Sequence, residues 1–232
     1  MTVDLKRALA VARSAAVAAG DLLRADFHRP DGPRGGGDKA EADTQAELLI
    51  RGRLTESFPS WSYQGEETGR QSGVGGAPVW LVDPNDGTRD YLVGRRGSAV
   101  SVGLVADGRP VLGVVFAFGY PDDRGTMVSW AEGLGPVVRD GVPVTARMPT
   151  ALGPSDVVLV SSKGDRDPAG NLRCTAPARY RTVPSIAHRL ALVAAGVAAP
   201  AAHPRPLAYW PADVYELSER LLVAGRNPPP LD

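Results

Sequence analysis

Four apolar runs follow one another through the middle of the chain: Val79–Val82, Ala99–Ala106, Val111–Phe118 and Thr126–Ala131. Turn signals separate the later ones. Asp107-Gly108 and Pro121-Asp122 stand between them, and a short pair, Val137–Val138, is followed by Asp140-Gly141. Antiparallel neighbours can be joined by two residues, whereas a parallel crossover needs a dozen or more. The spacing therefore predicts an antiparallel meander and argues against a chain of βαβ units.

The flanks read differently. Residues 4–27 carry Leu5, Leu9, Ala12, Ala16, Ala19 and Leu23 at steps of three and four, the period of an amphipathic helix. A second helix is expected from Thr44 to Ser57, with Asp43 as its N-cap and Leu48, Leu49 and Leu54 turned inward. Beyond residue 150 come a strand at Val157–Ser161, an Ala/Leu-rich helix at Ser185–Gly196 and a last helix at Asp213–Ala224. The pattern predicts an α+β fold, with an N-terminal helix pair on an antiparallel sheet and a smaller α/β C-terminal lobe. The expected division is 1–150 and 151–232.

The net charge is zero, which gives no footprint for nucleic acid or an acidic membrane. No run approaches the ~18 apolar residues of a spanning helix, and no leader-like N-terminus is visible. A cytoplasmic protein with no nucleic-acid or membrane partner is expected. The single cysteine, Cys174, excludes an internal disulfide and is expected to pack as a small hydrophobe. His28, His188 and His203 stand apart from any motif and are expected at the surface or in packing.

The chemistry concentrates where the first apolar run stops, in Asp83-Pro84-Asn85-Asp86-Gly87-Thr88. Pro84 stiffens the chain and Gly87 allows a sharp turn. Two carboxylates three residues apart on such a turn can converge on one cation. Gln64-Gly65-Glu66-Glu67 adds acids just upstream, and Asp213 opens the last helix. Hard oxygen donors without nearby His or Cys favour magnesium or manganese over zinc. For any one of these acids taken alone, a turn or cap role is the ordinary alternative.

These residues make the chain similar to the inositol monophosphatase superfamily. The resemblance rests on Gly65-Glu66-Glu67, the strand Trp80-Leu81-Val82, and Asp83-Pro84-Asn85-Asp86-Gly87-Thr88. It extends to Ser98–Phe118 and to Leu190–Gly196. It implies a layered α/β sugar-phosphatase fold and a Mg2+-dependent hydrolysis of a phosphate monoester of a small metabolite: an inositol phosphate, a sugar phosphate or a nucleoside bisphosphate. Two or three Mg2+ ions are implied, with Mn2+ as a substitute. Glu66, Asp83, Asp86, the carbonyl of Asn85 and Asp213 would hold them. Thr88, with its hydroxyl held by Asp43, would orient the attacking water, and Glu66 would share in catalysis. Asp86, Gly87, Thr88, Ser161 or Ser162, and Ser185 would meet the substrate. A homodimer is implied.

The sequence departs from the family pattern in places. Trp210 and Asp213 are separated by Pro211-Ala212, Ala40 stands where a Thr is usual, and Pro184 where a Gly is usual. The C-terminal lobe is expected to be shortened. Two alternatives remain open. One is an aspartyl-phosphatase of the haloacid dehalogenase type, which uses acids two apart rather than three. The other is a degenerate, non-catalytic member that binds metal or phosphate. Arg89 could contact a second phosphate or a sugar hydroxyl, or form a surface ion pair.

Overall fold

The computed structural model describes residues 3–145 and 151–197. Helix α1 (Leu5–Phe27) starts where the Asp4 carboxylate accepts from the Arg7 amide at 3.0 Å. It buries Ala8, Ala12, Ala15, Ala16, Ala19 and Leu23, a stripe of mostly small residues that allows close approach to its neighbours. A two-residue ribbon, β1 (Gly35–Gly36) with β2 (Lys39–Ala40), leads into α2 (Glu41–Ser57).

Helix α2 begins earlier than the sequence predicts. Ala40 is the N-cap, and Asp43 sits three positions inside, where its side chain accepts from the Ala40 amide at 3.1 Å. The inward face also differs. Ala42, Ala46, Ile50 and Leu54 are buried, while Leu48 is 55% exposed. Two acids, Asp43 and Glu47, occupy the buried face instead.

The central sheet has eight strands: β3 (Ser62–Gly65), β4 (Arg70–Gln71), β5 (Val79–Asp86), β6 (Ala99–Ala106), β7 (Arg109–Ala117), β8 (Thr126–Ala131), β9 (Val138–Arg139) and β10 (Val142–Pro143). Their spatial order is β10-β9-β8-β7-β6-β5-β3-β4. The expected meander runs from β5 to β10, all antiparallel. One correction is needed: β3 lies parallel to β5, so the sheet is mixed. The short helix α3 (Thr88–Leu92) connects β5 to β6.

The meander turns through Asp107 and Asp140 at positive φ, the kind of turn that Asp-Gly pairs favour. Trp80, Tyr63, Leu104 and Leu112 are completely buried between the sheet and the α1/α2 pair.

The remaining elements form a crossover unit. Strand β11 (Val157–Val160) leads through a 3-10 turn, Ser162–Arg166, and α4 (Pro168–Thr175) to β12 (Arg179–Thr182), which pairs with β11 in parallel. Helix α5 (Ile186–Ala194) follows. Ala187 and Ala191 pack on Ala99, Val115, Ala117 and Val128 of the large sheet, and Leu192 packs on Leu159 and Val183 of the small one. The large sheet thus lies between α1/α2 on one face and α5 on the other. Cys174, expected to be packed, is an exposed free thiol. The expected last helix, with Asp213 and Trp210, lies outside the described residues, as does His203.

Candidate active site

Strand β5 carries its acids to one place through a bulge. Asp83 pairs with Ser101 and Asp86 with Ala99, so three residue steps on β5 face two on β6. In a regular strand, residues three apart point to opposite faces. The extra residue of the bulge returns Asp86 to the side of Asp83. Gly87 then turns the chain at φ +102 and becomes the N-cap of α3, so Thr88 opens that helix.

The parallel pairing of β3 with β5 supplies the third acid. Gly65 lies level with Val82, and the Glu66 amide donates to the Val82 carbonyl at 3.1 Å. The parallel pairing therefore ends with Glu66 and Asp83 as the next residues on the two chains. Their carboxyl groups share a hydrogen bond.

A second cluster adjoins the first. The buried Asp43 accepts from the Asn85 side-chain amide at 2.8 Å and from the Thr88 hydroxyl at 3.1 Å. The same hydroxyl lies 2.8 Å from the Asn85 carbonyl. Asn85 Oδ1 is buried and unpartnered. Asp86 is held from the start of α5: its Oδ2 accepts from the Ser185 hydroxyl and from the Ala187 amide, each at 2.6 Å. Ser185 is the N-cap of α5, so Asp86 sits at that helix N-terminus, where a negative charge is favoured.

The remaining sequence-derived candidates fall around this centre. Ser161 precedes the 3-10 turn and makes no capping bond. Ser162 donates to Asp90 at 2.7 Å and ties the crossover unit to α3. Arg89 forms an exposed ion pair with Asp38 at 3.2 Å. Sequence reasoning passed over Glu47, completely buried one helical turn after Asp43. Its signal was the spacing: an acid four residues after Asp43, in register with Ala46 and Ile50 on the buried face.

The carboxyl groups are crowded. Although Glu66 as a residue is open to solvent, desolvation of its carboxyl, together with Glu67, Asp86 and Asp43, pushes it up to about 7. Burial first, then Glu66 and Asp86, hold Asp83 well above the usual carboxylate range. Burial raises Asp86 as well, against the opposing effect of Ser185 and the α5 amides. Acids that raise one another in this way await either protons or cations. Among the described residues no three such side chains already converge at ligating distance. The donor set is nevertheless all hard oxygen, with the orphaned Asn85 Oδ1 beside it, and this chemistry fits a hard divalent cation.

A pH dependence follows. Glu66 ionises near 4.5 when unfolded and about 7 when folded. Its contribution to stability is complete below 4.5 and is lost as pH rises through 7, and Asp83 acts in the same direction. The buried His188, pushed down from 6.5 to about 4 mainly by burial, acts oppositely and costs stability as pH falls below 6.5. The two offset each other between about 4.5 and 6.5. In chelator, the melting temperature is therefore expected to fall from pH 6.5 to pH 8. Divalent cations, which bind the ionised carboxylates, are expected to reverse that fall. A metal-free melting temperature that rises over this interval would contradict the picture.

A family model described as the inositol monophosphatase family matches residues 4–210. Inositol monophosphatase 1 of Solanum lycopersicum is 36% identical over 119 residues, 49% of this chain and 44% of that protein. The fructose-1,6-bisphosphatase/inositol-1-monophosphatase of Aquifex aeolicus is 36% identical over 118 residues, with the same shares covered. The matched segment thus spans under half the length of these curated relatives. Among solved structures, an inositol monophosphatase from Anabaena (Nostoc) is similar with a TM-score of 0.67 at 25% identity, covering 95% of this chain and 82% of that one. The extragenic suppressor protein suhB from Bartonella henselae also gives 0.67 at 25% identity, covering 82% and 75%.

Proposed function

The chain belongs to the inositol monophosphatase family, and from that premise we propose that it is a metal-dependent hydrolase of a small phosphate monoester. The observation that carries this reading is the crowding of Glu66, Asp83 and Asp86 beside the Thr88–Asp43 pair. Substrates in keeping with it are an inositol phosphate, a sugar phosphate or a nucleoside bisphosphate.

Glu66, Asp83, Asp86 and the carbonyl of Asn85 would hold the cation, with Asp213 joining from outside the described residues. Mg2+ is the ion we assign, two or three per site, with Mn2+ able to replace it. When bound, the cation lowers the pKa of a water and neutralises phosphoryl charge. The chain supplies the rest. Thr88 Oγ1 accepts a proton from the attacking water as it gives its own to Asp43 Oδ2, 3.1 Å away. Burial raises Asp43 above the usual carboxylate range, which favours its taking that proton. The Asn85 amide holds Asp43 in place at 2.8 Å. Asp86, Gly87 and Thr88 line the phosphate. Ser161 and Ser185 lie on the side of the remaining substrate, with Ser185 acting there through Asp86.

We also assign residues 1–150 to a lobe carrying most of the metal site and 151–232 to a lobe completing the pocket. The active unit is assigned as a cytoplasmic homodimer. No described helix is long and apolar enough to cross a membrane.

Phosphate release from a panel of monoesters, with and without Mg2+, tests the reading. Cation-dependent release from at least one class is expected. Tight cation binding with no turnover on any monoester would favour the non-catalytic alternative.

A further inference from the structure

Glu47 is completely buried, and burying a carboxylate is costly unless hydrogen bonds replace its water. The backbone amides that it engages come from a single turn. Oε2 accepts from the Glu67 amide at 2.7 Å. Oε1 accepts from the Thr68 amide at 2.7 Å and from the Thr68 hydroxyl at 2.5 Å. The turn that Glu47 holds is the one that carries Glu66. Its other closure is the Gly65 amide donating to the Gly69 carbonyl at 3.0 Å.

Gly65 is part of the same arrangement. A Cβ there would collide with the Glu47 carboxylate, so the carboxylate can keep this position only beside a glycine. The pattern continues along the helix. Asp43, Glu47 and Arg51 recur at four-residue steps, which stack on one face. Asp43 holds Asn85 and Thr88, Glu47 holds residues 67 and 68, and Arg51 donates to the Gln71 side chain at 2.9 Å and to the Thr68 carbonyl at 3.4 Å. One helix face therefore sets the separation of the Asp43–Thr88 pair from the turn bearing Glu66.

We propose that Glu47 is a positioning residue, whose carboxylate clamps the Glu67–Thr68 backbone and so fixes Glu66 beside Asp83 for cation binding. The cation half of this inference rests on the metal-dependent reading above. The clamp itself does not. Glu47 meets neither substrate nor cation; it acts through the backbone of the residues that follow Glu66. Substituting Gln keeps the length but turns an NH2 group toward N–H donors, so one half of the clamp is lost and becomes repulsive.

The test compares Glu47→Gln with Leu54→Ala, a fully buried position two turns further along the same helix. Mg2+ affinity is measured by calorimetry and amide exchange by NMR or mass spectrometry. Partners that orient a ligand typically govern 10- to 100-fold in metal affinity, so Glu47→Gln is expected to weaken Mg2+ about 10-fold or more. Exchange at Glu67 and Thr68 is expected to accelerate in the metal-free variant, with kcat at saturating Mg2+ within about threefold of wild type. Leu54→Ala is expected to lower the melting temperature and leave Mg2+ affinity unchanged. Equal weakening in both variants, or wild-type affinity in Glu47→Gln, would overturn the proposal. A wild-type protein that binds no divalent cation would defeat the metal reading, whereas unchanged exchange at Glu67 and Thr68 in Glu47→Gln would defeat the clamp alone.

Discussion

Asp83→Asn is expected to cut cation-dependent phosphate release on the order of 10³-fold, the scale of losing a principal charge-stabilising group. The same substitution is expected to raise the melting temperature of the metal-free protein at pH 8. Asp83 is desolvated, is hydrogen-bonded to Glu66 and faces Asp86, so its ionised form is unfavourable without a cation. An Asn keeps an oxygen to accept the Asn85 amide, now bonded to Asp83 Oδ1 at 2.9 Å, so the local turn survives. Loss of activity together with gain of stability is the signature of charge stored for function. Activity equal to wild type would remove Asp83 from the site. Loss of activity with loss of stability would instead make it a structural residue.

Thr88→Val is expected to lower kcat about 10²- to 10³-fold while leaving Mg2+ affinity within about twofold. Valine matches threonine in shape but has no hydroxyl for Asp43 and the Asn85 carbonyl. The separation of the two readouts is the point of the experiment. Asp83→Asn is expected to fail in cation binding, Thr88→Val only in turnover. Thr88→Ser, which restores the hydroxyl, is expected to recover most of the rate. A Thr88→Val enzyme with wild-type kcat would exclude the hydroxyl from proton transfer.

Much of the sheet was legible because its runs are continuous and bounded. Ala99–Ala106 is a strand over the expected residues, since apolar side chains fill it and Asp107-Gly108 ends it. Strand β3 was not legible. Ser62-Tyr63-Gln64-Gly65 is too short and mixed to carry a period, and its parallel partner is fixed by tertiary packing. The clustering of Asp83 with Asp86 was visible as spacing, but the bulge that makes it work is a property of the pairing with β6. Helix α2 misled in a particular way. Leucines at 48 and 49 suggested an apolar face, whereas the buried face carries Asp43 and Glu47 because their hydrogen bonds to distant segments outweigh the cost of burial.

The attachment of Asp86 to Ser185 and Ala187 joins residues 99 and 101 positions apart. During synthesis, the strand that bears Asp86 leaves the ribosome long before the amides that hold it. Until α5 arrives, a nascent sheet must tolerate that carboxylate without its anchor. Assembly of the centre is therefore tied to a late event, and a chain halted before residue 185 would lack the groups that hold Asp86.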